Sequence, residues 1–136
     1  MSNVILEKVS RNFGEFAAVS GVDLRINEGE FVTLLGPSGC GKTTTLRMVA
    51  GLEHNTGGRI SIGNVVVSDA ARGLFVPAER RALGMVFQSY AIWPHMTVFD
   101  NVAYPLRVRR VRRPEIRERV LAALKLVEME NYADRP

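Results

Sequence analysis

The sequence is poor in the features that mark several whole classes of protein. It has one cysteine, Cys40, in 136 residues, so no internal disulfide can form and the framework of a small secreted domain is excluded. A reducing, cytosolic setting is expected. Long hydrophobic runs are also missing. The longest uncharged span, Ala82–Phe99, is broken by Gln88, Ser89, Pro94, His95 and Thr97, whereas a membrane helix needs roughly 20 mostly apolar residues. The N-terminus mixes Val4 and Leu6 with Glu7-Lys8 and has no apolar core of signal-peptide length. Any membrane role is therefore expected to work through a partner. Internal repeats and low-complexity linkers are absent as well.

What is present fits one ordinary globular domain. The chain is 46% hydrophobic and 24% charged, near the globular average and far from disordered, collagenous or coiled-coil compositions. The net charge of +4 is unevenly spread. Arg107 to Arg119 holds seven arginines and two glutamates, a local charge of +5 that leaves the remainder at −1. Such a stretch between two helices is expected to be a solvated face; contact with acidic lipid or a partner comes second, and nucleic acid is not expected.

Strands are expected in the front of the chain and helices in the back. Val4–Ser10 and Val22–Ile26 have strand composition, Glu30–Leu35 is an apolar run, and Arg59–Ile62 and Val65–Val67 form a hairpin turning at Gly63-Asn64. Leu83–Phe87 reads as another buried strand. Thr43–Ala50 reads as a helix stopped by Gly51. Thr97 and Asp100 form a helix cap box, and Pro105 limits or kinks the helix that follows. Pro114 suits a first helical turn, with Ile116, Val120, Leu124 and Val127 marking one face.

The chemistry is concentrated in Gly36-Pro37-Ser38-Gly39-Cys40-Gly41-Lys42-Thr43, a complete G-x-x-x-x-G-K-[ST] phosphate loop. Its glycines allow backbone N–H groups to turn inward around phosphate oxygens. The helix beginning at Lys42-Thr43 points its positive end at the same anion. Lys42 can reach the β- and γ-phosphates, the Thr43 hydroxyl can ligate Mg²⁺, and Thr44 can hydrogen-bond an α-phosphate oxygen. An apolar strand running in and a helix running out supply the required context. Cys40 is expected to fill a variable position of the motif, in preference to acting as a redox switch.

Two segments carry a family resemblance. GEFVTLLGPSGCGKTTTLRMVAGLE (29–53) and RALGMVFQSYAIWPHMTVFDNVAYPL (81–106) resemble the extended phosphate loop and the Q-loop region of ABC transporter ATP-binding subunits. The second is most similar to importer ATPases for iron(III), polyamines and sugars. The resemblance implies an α/β, P-loop NTPase core with an N-terminal antiparallel β-subdomain and the start of a helical subdomain, the domain being incomplete. It divides the chain into 1–88 (β-subdomain, phosphate loop and Q-loop core) and 89–136. ATP and Mg²⁺ are the implied cofactors. Phe13 occupies the place of the aromatic that stacks on adenine, with Phe16 a weaker choice. Gln88 is the Q-loop glutamine, a neutral group that can touch Mg²⁺ or water, and with Lys42 it makes the catalytic pair. The surface around Tyr90, Ile92 and Trp93 implies docking of a membrane-spanning permease subunit, although Trp93 also suits an internal anchor. A second ATPase subunit is the implied homodimer partner, and the implied location is the cytoplasmic face of the membrane.

The same resemblance shows what is missing. No LSGGQ-like signature, Walker B glutamate or switch histidine occurs in the sequence. His54 and His95 read as surface residues. Val65-Val66-Val67-Ser68-Asp69 imitates Walker B, but Ala70 stands where a glutamate is required; Asp100 is explained by its cap. The chain is expected to be the front part of such a protein, inactive alone. A parallel sheet without its later strands is expected to leave apolar surface exposed. The implied function is ATP-driven solute import through membrane subunits. A nucleotide-binding remnant without turnover and a soluble non-transport ABC ATPase stay open as alternatives.

Overall fold

A computed structural model describes residues 2–136, and the chain divides into two compact units, Met1–Met85 and Val86–Pro136. In the first, β1 (Val4–Phe13), β2 (Phe16–Ile26), β3 (Gly57–Ile62), β4 (Val65–Asp69) and β5 (Leu74–Phe75) form one sheet in the order β2-β1-β3-β4-β5. Every pairing in it is antiparallel. Gly63, at φ 60, turns β3 into β4 where the sequence places the hairpin. Leu6 pairs across the ladder with Ile60. Both are fully buried with Val9, Val19 and Val67, and the helix α1 (Lys42–Ala50) adds Met48 to that cluster.

Two glycines shape this unit by having no side chain. At Gly58 (φ +74) a Cβ would lie 2.3 Å from the carbonyl oxygens of both Glu7 and Lys8. That close approach coincides with the register shift of β1 between Glu7 and Ser10, where Lys8 itself takes φ 51. Gly51 ends α1 in the left-handed region at φ 78, its N–H reaching back to Met48 O, as the sequence predicts.

The far end of α1 is held by a residue that nothing in the sequence singles out. Arg81 is 4% exposed. Its Nη1 donates to Met48 O (2.7 Å) and Val49 O (3.0 Å), and its Nε donates to Val76 O (2.6 Å). Nη2 reaches Val67 O at 3.4 Å, and the guanidinium lies 5.0 Å from the Phe75 ring centroid. One cation thus ties the last carbonyls of α1 to β4 and to the segment after β5. Burial pushes its pKa down from the ordinary arginine value.

Two expected strands do not form. Glu30–Leu35 and Leu83–Phe87 pair with nothing in a ladder, and Phe31, Leu35 and Val86 are 93%, 93% and 98% exposed. The physical reason is that a doubly apolar strand is stable only between neighbours that cover both faces, and the described residues supply none. The apolar side chains of Phe31, Leu35 and Val86 are left exposed, and no parallel pairing occurs among the described residues.

In the second unit, α2 (Val98–Val108) packs on α3 (Arg113–Leu126) around Ala103, Ile116, Val120, Leu124 and Ala133. Thr97 caps α2, its Oγ1 accepting from Asp100 N at 3.1 Å. Pro105 sits inside α2, which continues to Val108 without ending there. Val127 departs from the expected stripe: it is the C-cap residue of α3 and 62% exposed, because the helix ends before its turn would bring it inward. Arg107 pairs with Asp100 and Arg119 with Glu115, while Arg109, Arg110, Arg112 and Arg113 are exposed. No helix among the described residues is long and apolar enough to cross a membrane.

Two stability measurements test this account. Gly58→Ala is expected to cost more than about 3 kcal/mol, combining a left-handed backbone with a backbone clash, whereas Gly14→Ala (φ +57, open space) should cost about 1–2 kcal/mol. Arg81→Leu removes the donor to Val76 O and Val49 O and leaves Met48 O only its longer bond from Gly51 N; it is expected to cost about 2–3 kcal/mol. Urea unfolding followed by circular dichroism reads both.

Candidate functional site

The phosphate loop is built around a few contacts that its sequence dictates. Gly39 and Gly41 take φ +82 and +87, values that L side chains rarely adopt. A Cβ on Gly41 would come within 2.4 Å of Ala18 O, so this glycine also sets how closely the loop can approach β2. A Cβ on Gly36 would meet Cys40 Sγ at 2.7 Å. Gly41 is the N-cap of α1, and no side chain caps the helix; its first turn contains no acidic residue. The free N–H groups and the positive end of the dipole therefore face the loop unopposed.

Lys42 folds back over the loop. Its Nζ donates to Gly36 O and Pro37 O, each at 2.7 Å, and lies 3.3 Å from Cys40 Sγ. The ammonium is thereby fixed among main-chain carbonyls. Thr45, not singled out by the sequence, locks the first helical turn: its Oγ1 donates to Gly41 O at 2.9 Å.

A cavity of about 510 Å³ opens beside this loop, lined by Phe13, Phe16, Ala18, Ser38, Gly39, Gly41, Lys42, Thr43 and Thr44. Both aromatic candidates, on either side of the β1–β2 turn, thus share one cavity with the loop residues and the two threonines. Phe13 is 46% exposed and Phe16 65%, so neither is a core residue. Cys40 is exposed and lines an adjoining cavity with Leu34 and Leu35, together with Gly39, Gly41 and Lys42. Gly36 and Pro37 serve the site as acceptors for Lys42.

Gln88 belongs to the second unit and is exposed, at the turn closed by Tyr90 N donating to Phe87 O at 3.2 Å. Tyr90 and Ala91 both take positive φ, 60° and 49°. Tyr90 is 85% exposed and Ile92 65%. Trp93 is 45% exposed, and its ring sits 5.4 Å from that of Tyr104 on α2. Asn101 holds the turn below it. Its Oδ1 accepts from Trp93 N at 2.7 Å, and its Nδ2 donates to Trp93 O, Met96 O and Thr97 O.

The aspartate at the end of β4 is occupied structurally. Asp69 Oδ1 accepts from the N–H groups of Ala71 (3.0 Å) and Arg72 (3.2 Å), closing a turn. His54 and His95 are both exposed, and His54 stacks on Phe75 with ring centroids 3.6 Å apart. No cluster of metal-ligating side chains occurs among the described residues.

Comparison with known proteins agrees with this geometry. The family described as ABC transporter matches residues 19–136. The trehalose/maltose import ATP-binding protein MalK of Thermococcus litoralis is 51% identical over 135 residues, covering 99% of this chain and 36% of its own length. The spermidine/putrescine import ATP-binding protein PotA of Photobacterium profundum is 47% identical over 130 residues, covering 96% and 33%. The chain therefore spans about a third of the length of these curated relatives. Among solved structures, the ATP-binding cassette MJ0796, a dimer in a post-hydrolysis state bound to ADP and Pi, superposes with a TM-score of 0.80 at 32% identity. That match covers 96% of this chain and 60% of the cassette. On these grounds the chain belongs to the ABC transporter family and has the fold of its ATP-binding cassettes.

Proposed function

We propose that this chain is the nucleotide-binding front part of an importer ATPase, binding MgATP through Gly36–Thr44 and the base through Phe13. The observation that carries this reading is the single cavity that joins Phe13 to Ser38, Gly39, Gly41, Lys42, Thr43 and Thr44. The residues fit the ligand. A glycine turn that excludes a Cβ at Gly41, an uncapped helix N-terminus and one fixed ammonium make an anion cradle, and an open phenyl face suits a purine.

The roles follow from residue chemistry. The loop N–H groups and Lys42 hold phosphate oxygens, and the Thr43 hydroxyl is suited to Mg²⁺. Thr44 is suited to the α-phosphate. Gln88, a neutral donor and acceptor, serves as the phosphate sensor and adds a Mg²⁺ contact without adding fixed charge. Bound MgATP supplies a phosphoanhydride whose hydrolysis, in the longer protein, is coupled to solute uptake. The 136 residues contain no LSGGQ string, and their strand-end aspartate closes a turn, so binding without turnover is the activity of this chain alone. In the intact assembly the partners are a second ATPase subunit and membrane permeases, the latter docking around Tyr90, Ile92 and Trp93. Its location is the cytoplasmic face of the membrane. The importer names of the relatives and the exposed apolar segment beside Gln88 favour this over a soluble non-transport ATPase.

Isothermal titration with MgATP tests the reading. Lys42→Ala is expected to weaken binding at least about tenfold, the loss of charge-assisted hydrogen bonds. Unchanged affinity in Lys42→Ala would sink the proposal. For the docking surface, Trp93→Ala should reduce cosedimentation with permease-containing membranes while leaving MgATP affinity within about twofold; lost nucleotide binding would instead make Trp93 an internal anchor.

A further inference from the structure

Phe13 does not stand alone on its strand. Two residues earlier, on the same face of β1, Arg11 places its guanidinium carbon 4.4 Å from the Phe13 ring centroid. That distance is within the range of a cation–π contact. Arg11 is not among the residues lining the cavity, whereas Phe13 is. Phe13 thus meets the guanidinium and also borders the cavity. Arg11 is itself tethered: its Nη2 lies 2.8 Å from Glu53 Oε1, with both side chains only about one-fifth exposed (20% and 21%). Its Nε is buried and has no hydrogen-bond partner among the described residues, so the ring face and Glu53 hold the group. Glu53 lies two residues beyond Gly51, the C-cap of α1. Through this pair, the β1 aromatic and the exit of the phosphate-loop helix share one mechanical link.

We propose that Arg11, held by Glu53, is a positioning residue for base recognition: it fixes the plane of Phe13 and polarises its ring, so that the open face stacks more tightly on a purine. The inference rests on the nucleotide-binding reading above. Two physical effects support it. A ring clamped on one face loses less rotamer freedom when a ligand covers the other. A cation on one face also draws electron density through the ring, and the opposite face then attracts an electron-rich purine more strongly. The phosphate loop contributes equally to any triphosphate, so the effect must appear only in ligands that carry a base.

The test compares MgATP with magnesium tripolyphosphate, a ligand with the phosphates and no base, by titration calorimetry on the full 136-residue chain. Arg11→Met, which keeps the apolar stem, is expected to raise the Kd for MgATP about three- to tenfold and to leave tripolyphosphate unchanged. Arg11→Lys should recover part of the loss. In a Phe13→Ala background, Arg11→Met should add nothing. Equal losses for both ligands, no loss for either, or full additivity with Phe13→Ala would overturn the inference. If Arg11→Met does not fold, Glu53→Gln replaces it under the same criterion: MgATP weakened at least twofold with tripolyphosphate unchanged sustains the role, and any other result overturns it. Phe13→Ala separates the two readings. It should weaken MgATP about five- to a hundredfold and spare tripolyphosphate. If it spares both, base stacking on Phe13 is wrong; if it behaves as expected while Arg11→Met is silent, only the role of Arg11 is wrong.

Discussion

A nine-residue helix cannot hold its own shape or position in water, and the phosphate site depends on one. Everything that makes α1 useful comes from three anchors. At its start, Gly41 lets the loop approach Ala18 O more closely than any side chain would allow. In its middle, Met48 is fully buried in the cluster shared with Leu6 and Ile60. At its end, Arg81 covers the carbonyls of Met48 and Val49. Together they aim the helix N-terminus at the cavity containing Phe13. Their chemistry is different in each case: a missing side chain, apolar burial and a buried cation. Damage to one is not readily offset by the others.

Some apolar surface lies outside any core. Phe31, Leu35 and Val86 belong to apolar runs that nothing among the described residues covers. The antiparallel sheet closes its own core through Leu6, Val9, Val19, Ile60 and Val67, so it persists without them. The loop, by contrast, enters from an unpaired segment and relies on its contacts with β2 and α1. Extended apolar runs with both faces in water favour self-association at high concentration.

The legible parts of the sequence were those where chemistry fixes spacing. Phosphate cradling demands glycines, a lysine and a hydroxyl at set intervals, and Gly36 to Thr44 displays them. The Gly63-Asn64 turn and the Thr97 cap were readable because each satisfies local backbone groups. What escaped was long-range. Arg81 sits beside Arg80 and looks no different, yet one is buried among carbonyls and the other is exposed. Arg11 and Glu53 are distant in sequence and carry no spacing rule, and Asn101 gives no hint that it binds a turn eight residues back. The runs Glu30–Leu35 and Leu83–Phe87 have strand composition, but composition cannot report whether a partner strand is within reach. Val127 continued a helical period one step past the point where the helix stops.

The hydrogen bonds of Lys42 have a consequence for how an anion is taken up. Its Nζ rests on two carbonyl oxygens, those of Gly36 and Pro37. An arriving phosphate therefore competes with neutral dipoles and has no bound carboxylate to displace from the ammonium. The exchange replaces charge–dipole contacts by charge–charge contacts, so it runs downhill electrostatically from the first encounter. The carbonyls also hold the lysine close to its working place, and capture needs only a short swing of the side chain. Lys42 thus rests on neutral acceptors that a phosphate oxygen would replace.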